Sequence, residues 1–219
     1  AGLAQVESDA GLIPAAAAAE IVAACHADLF DVAGIGQRSL AAGNPAAPLA
    51  RALTEAVSAE AQPYVHLGAT SQDIIDTAMS LMAQRVLDVL LEDLAAVAAA
   101  CARLADDHRT TLMTARTLLQ PALPTTFGLE AAIWLSGIDA ARVLLTHVRF
   151  ERLAVQLGGA AGTLASLRGG GVDIVHRLAA HLGLAEPAVP WHTDRTRVAE
   201  LAAALGLTSG DLGKMPRDI

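Results

Sequence analysis

A chain of 219 residues with 53% hydrophobic content is long enough to bury the core of one or two domains. Its net charge of −8 argues against a nucleic-acid partner, whose phosphates it would repel, but leaves open a small anion held by local N–H groups and Arg. Ala and Leu dominate, aromatics are 3%, and no long run alternates with period two, so the fold class expected is all-α.

In chain order, a helix is expected from Ala15 to Val32 behind Pro14, then a loop at Gly34, Gly36, Gly43, Asn44 and Pro45. A short helix follows over about Ala47–Ala59, closed by Gln62-Pro63. The segment HLGATSQDIIDTA, His66–Ala78, is a polar turn running into a long helix, Ser71 to about His108. That helix contains neither Gly nor Pro. Its apolar positions Ile75, Met79, Met82, Val86, Leu90, Leu94, Val97, Cys101 and Leu104 form a heptad-like stripe with one stutter, as in bundles and subunit interfaces. Pro121 and Pro124 break the helical path. A second long helix is expected from Thr125, as its cap, to about Gln156, apolar on nearly every face, with Gly137 and Ala140 permitting close helix approach. Gly158–Thr163 reads as a flexible loop, Arg168 and the following glycines as a turn, Val172–Leu182 as a short helix, and the stretch from about Thr193 to the chain end as a last helix.

Cys25 and Cys101 are isolated in apolar helical patterns, which suits core thiols in a reducing, cytoplasmic setting. No signal peptide is expected, because no basic region precedes Ala15–Ala19. The apolar stretch Val86–Ala102 carries Asp88, Glu92 and Asp93, so no membrane span is expected. The chain starts without Met and stops at Arg217-Asp218-Ile219 inside an apparent helix, as a fragment would.

The seven histidines show no ligand spacing, so no metal is expected. GGAAGT at 158–163 lacks a P-loop Lys and a preceding strand. It reads either as a helix connection or as a loop whose N–H groups face an anion. No nucleophile elbow is present, and neither Cys has an activating neighbour. What remains is polar residues at element ends. His66, Thr70 and Ser71 stand beside a helix N-terminus, with Asp73 in its first turn. Arg116, Thr117 and Gln120 sit among leucines and prolines, and His192 and Thr193 precede a helix. Helix N-termini and Arg forks suit carboxylates. Capping and loop contacts account for any one of these residues equally well.

HLGATSQDIIDTA resembles the first signature segment of the fumarase/aspartase superfamily, in the form used by adenylosuccinate lyases and the muconate cycloisomerases. ARTLLQPALPTTFGLEAAIW (115–134) resembles the second segment, and QLGGAAGTLASL (156–167), PWHTDR (190–195) and AGNPAAPLARAL (42–53) resemble the cycloisomerase branch. Lyases of the superfamily typically carry a proton-transferring His where this chain has Leu118, so Leu118-Leu119 favours the cycloisomerase branch. The family's third, Ser-rich signature loop is absent from these residues, which implies either a truncated chain or one not competent alone.

The resemblance implies a small N-terminal helical domain, residues 1–70, and a long-helix bundle, residues 71–219, incomplete at its C-terminal end. It implies a homotetramer whose active sites draw on three subunits, a small tricarboxylate substrate, and no cofactor. The implied reaction is lactonisation of 3-carboxy-cis,cis-muconate in aromatic degradation by the β-ketoadipate route. Thr70, Arg116, Thr117 and Gln120 would bind carboxylates. His66, Ser71 and His192 would be catalytic, with His192 open also to a helix-start contact. The alternatives are a fumarate-releasing lyase and a non-catalytic helical assembly fragment.

Overall fold

The computed structural model describes residues 1–219, and its elements are helices apart from one hairpin. The helices are α1 (Gly2–Asp9), α2 (Ala15–Ala24), α3 (Val32–Ala42), α4 (Ala46–Glu55), α5 (Ser71–Asp107), α6 (Phe127–His147), α7 (Gly171–Leu182) and α8 (Thr196–Asp218). The hairpin pairs β1 (Leu112–Thr117) with β2 (Gln120–Thr126). Contacts divide the chain into two compact units, residues 1–82 with 153–195 and residues 83–152 with 196–219.

The first unit is built on small side chains. Ala4, Ile13, Ala17, Ala18, Ile21, Val57 and Ala61 are buried together, with Leu53, Tyr64 and Leu67 against them. α1 packs on α2 and α7. The helix expected over Ala15–Val32 ends instead at Ala24, and α3 begins at Val32 and runs through Gly34 and Gly36, which were expected in a loop. The physical reason is a cap: the Asp31 carboxylate accepts from the Gly34 N–H at 2.9 Å and starts the helix despite its glycines. Gly43, at φ 73°, ends α3 in the left-handed region as a C-terminal glycine does. α4 stops at Glu55, short of the expected Ala59.

In the second unit Cys101, Ala131 and Trp134 are buried together against Val97, Leu104, Phe127 and Met215. α8 lies along α6, where Trp134 Nε1 donates to Asp218 at 2.8 Å and the Lys214 ammonium reaches both Glu130 and Asp218. The first turn of α6 is tight against α5 at Gly128, since a Cβ there would sit 2.6 Å from the Ala105 carbonyl. The cap is Thr126, whose hydroxyl accepts from Leu129 N at 3.2 Å, rather than Thr125. α6 gives way at Val148–Arg152 to a π turn and does not reach Gln156. α8 begins at Thr196, three residues after the expected start.

Within the single chain, burial on the two long helices is partial. On α5 the residues facing the chain's own core are Leu87, Leu94, Ala98 and Cys101, whereas Met82, Val86 and Val89 are exposed. On α6 burial is one-sided: Ala131, Trp134, Ile138, Ala141 and Leu145 are covered, while Leu129, Ile133 and Val143 are open. α6 with its π turn is long and apolar enough to cross a membrane by length and composition alone, yet its covered row packs as the core helix of a bundle does.

The hairpin was not expected from sequence. Leu118 and Leu119 form its two-residue turn at φ 50° and 63°, the left-handed backbone that tight hairpins favour and Leu resists. Both side chains are almost fully exposed, 96% and 94%.

Candidate functional site

Three segments of the first unit converge on one buried carboxylate. Asp73 lies in the first turn of α5 and is 1% exposed. Its Oδ2 accepts from Thr70 N at 2.8 Å, a side chain reaching back to the residue before the helix as in a capping box. Oδ2 also accepts from Gly159 N at 2.9 Å, and Oδ1 from Gly158 N at 3.0 Å, Gln156 Nε2 at 3.2 Å and His192 Nε2 at 2.6 Å. The glycine loop at 158–163 therefore does present N–H groups to an anion, and that anion is Asp73. No other residue type fits easily: a Cβ on Gly158 would lie 2.7 Å from His192 Cε1, and Gly159, at φ 71°, would place one 3.0 Å from the Gly68 carbonyl.

Gln156 ties the segments together. Its Oε1 accepts from Trp191 N at 2.8 Å, which orients its amide so that Nε2 faces Asp73. Its backbone N–H and carbonyl both bond the Thr77 hydroxyl, and Trp191 Nε1 donates to the Val155 carbonyl. One turn along α5, buried Asp76 is clasped by Arg195 through Nη1 at 2.8 Å and Nη2 at 2.9 Å, with Gln72 Nε2 at 2.9 Å as a third donor. The Arg195 guanidinium stands 5.4 Å over the Trp191 ring. The Asp76 hydrogen bonds raise the Arg195 pKa above its ordinary value.

The expected site residues fall into two groups. His66, Thr70, Ser71 and His192 belong to the first unit. His66, at φ 61°, sits in left-handed backbone just before the turn at Gly68, where a Cβ would strike the Leu167 side chain at 2.4 Å. His66 is half-buried; burial lowers its pKa below 6.5, and the Asp73 charge offsets part of that. Thr70 and Ser71 are half-buried at the α5 start. Only His66 of these lines a cavity of about 470 Å³ bounded by Ile21, Phe30, Leu49, Tyr64 and Ile74, a mostly apolar space that Asp73 itself does not line. Arg116 and Thr117 on β1 and Gln120 on β2 belong to the second unit. Thr117 pairs with Gln120 beside the hairpin turn, Arg116 pairs with Pro121, and all three are exposed. No group of three or more His, Cys, Asp or Glu side chains is placed to hold a metal ion.

Sequence reading missed the centre of the site. Asp73 was placed only in the first turn of the long helix, and Gln156, Gly158 and Gly159 at the end of a helix and in a loop. The one available signal was the Gly-rich loop as an anion binder, which named the donors without their acceptor.

The chain matches the family model described as "Lyase" over residues 1–219. It is 47% identical to the 3-carboxy-cis,cis-muconate cycloisomerase of Bradyrhizobium diazoefficiens, covering 100% of this chain and 49% of that protein. It is 41% identical to the nitrosuccinate lyase of Streptomyces davaonensis, covering 99% and 48%. The crystal structure of the 3-carboxy-cis,cis-muconate lactonizing enzyme from Pseudomonas putida superposes with TM-score 0.95 at 41% identity, covering 100% of this chain and 50% of that one. The chain thus spans about half the length of the curated relatives it matches.

Proposed function

Since the chain belongs to the lyase family that matches it from end to end, we propose that the protein it forms is a cycloisomerase closing 3-carboxy-cis,cis-muconate to a carboxymuconolactone in aromatic degradation. The observation that carries the reading is the Asp73 network, which fixes the His192 imidazole and the backbone of Thr70 at the helix start, beside the half-buried His66 and Ser71. One substrate carboxylate attacks a double bond and forms the C–O bond of the lactone. The carbon α to another carboxylate takes up a proton.

Such a site must hold three carboxylates, align the attacking oxygen and stabilise the charge building on the receiving carboxylate. Thr70, Ser71 and the α5 N-terminus supply donors for one carboxylate. Arg116, Thr117 and Gln120 supply them for another from the hairpin of a neighbouring subunit. His66 and His192 are the groups able to exchange a proton, and burial favours the neutral form of His66 at working pH.

The assembly proposed is a homotetramer with shared sites, residues 1–70 forming an N-terminal domain and 71–219 part of the central bundle. The exposed apolar rows of α5 and α6 and the bare Leu118-Leu119 turn support association of copies. The two free thiols, Cys25 and Cys101, suit a cytoplasmic setting. The likeness to a nitrosuccinate lyase keeps a lyase of the same family as the second reading. Loss of diene absorbance on adding 3-carboxy-cis,cis-muconate to the complete protein tests the first. No turnover there, with release of an unsaturated acid from a substituted succinate, would establish the second. Inactivity on both would leave a helical assembly module.

A further inference from the structure

We infer that Asp73 is a positioning residue that holds the His192 imidazole as its Nε2–H tautomer, so that His192 exchanges the reaction's proton through Nδ1. This rests on the cycloisomerase reading of the site. Apart from His192, every contact Asp73 makes is with a fixed donor: three backbone N–H groups and the Gln156 amide. A carboxylate offers about four lone-pair positions, and these four donors fill them without the imidazole, leaving no room for a proton on either oxygen. Gln156 cannot be turned to change this, because its Oε1 is taken by Trp191 N.

At 2.6 Å, His192 Nε2 must therefore be the donor, and the neutral ring carries its lone pair on Nδ1. The ring is also held sideways. Its Cε1 lies against Gly158, where even a methyl group would come within 2.7 Å, and Arg195 Nη1 donates to the His192 carbonyl at 3.3 Å. The side chain is 20% exposed, while its carboxylate partner is 1% exposed. One edge of the imidazole is thus anchored in protein and the ring still reaches the surface of the site.

In lactonisation the proton on Nδ1 of the imidazolium passes to the substrate's α-carbon as the carboxylate oxygen bonds to the alkene carbon. The ring is left neutral with Nε2–H still on Asp73, and it regains one proton from water for each ring closed. The buried carboxylate keeps the tautomer fixed through both states.

Neutron diffraction from the deuterated complete protein reads the tautomer directly. The result expected is a deuteron on His192 Nε2 facing Asp73; a bare Nε2 with deuterium on Nδ1 alone overturns the inference. In solution, Asp73→Asn should lower kcat about 100-fold with KM within about threefold, because an amide offers one acceptor where the ring needs a carboxylate. Asp73→Asn combined with His192→Gln should lose no more than His192→Gln alone, since the first acts through the second. Additive losses, or a kcat within threefold of the parent for Asp73→Asn, count against it. If Asp73→Asn does not fold, the neutron result on the parent decides. A protein that never lactonises the muconate sinks the functional reading, and the neutron result still decides the tautomer.

Discussion

Glu7 offers a test of how a buried acid shapes the stability of the first unit. It lies on α1, is 1% exposed, and its Oε1 is buried without a hydrogen-bond partner. Burial alone pushes its pKa from 4.5 up to about 8. Between those values the folded chain keeps a proton that the unfolded chain releases. This contribution to stability is complete below pH 4.5 and is lost as pH rises towards 8. At about 1.4 kcal/mol per pH unit, raising the pH from 5 to 8 removes at most about 3 to 4 kcal/mol through this group. Glu7→Leu deletes the titration at similar volume. Urea unfolding of parent and variant, followed by far-UV circular dichroism at pH 5 and pH 8, should show the variant gaining about 3 kcal/mol more on the parent at the higher pH. All other titrating groups cancel in that difference. A parent–variant difference constant to about 0.5 kcal/mol across the two pH values would refute the reasoning.

Arg195→Leu should destabilise by about 1–3 kcal/mol, because it strands the buried Asp76 carboxylate with only the Gln72 donor; exposure of Arg195 keeps the loss below that of a fully buried pair. Asp76→Asn should be milder, since Arg195 can turn to water, and equal losses in denaturant titrations would contradict this asymmetry. Gly158→Ala forces a methyl group into the His192 ring and Pro190, so turnover should fall by tenfold or more and stability by about 1–3 kcal/mol; an unchanged kcat would show the ring contact to be slack. His66→Ala should depress kcat about 100-fold while leaving stability within about 1 kcal/mol, and near-parent turnover would remove His66 from the chemistry. Leu118→Asn with Leu119→Gly suits the left-handed hairpin turn better and strips its exposed apolar tip. The chain should fold as before and associate less, as light scattering after size exclusion would report; undiminished association would mean the tip is no contact.

Much of the local architecture was legible because it is set by local rules. Uninterrupted helix formers over Ser71–Asp107 leave no other backbone, and the boundaries of α7 follow from its own pattern and the glycines at either end. The misses have two causes, a local cap that was overlooked and partners distant in sequence. Asp31 carries α3 across two glycines, and the hairpin at Leu112–Thr126 forms from strands with prolines and no turn residue of the usual kind. Gln156 looked like the end of a long apolar helix and is instead pinned by Thr77 and Trp191.

By itself, the sequence determined the helical class, the long helix, and the polar segments from which the site is built, since periodicity, capping and composition act within a few residues. The tertiary structure decided which carboxylate those segments serve. The 158–159 glycines and His192 lie some eighty to one hundred and twenty positions from Asp73 in the chain. A buried carboxylate must be saturated by donors wherever the fold can bring them, and no local pattern records where they come from.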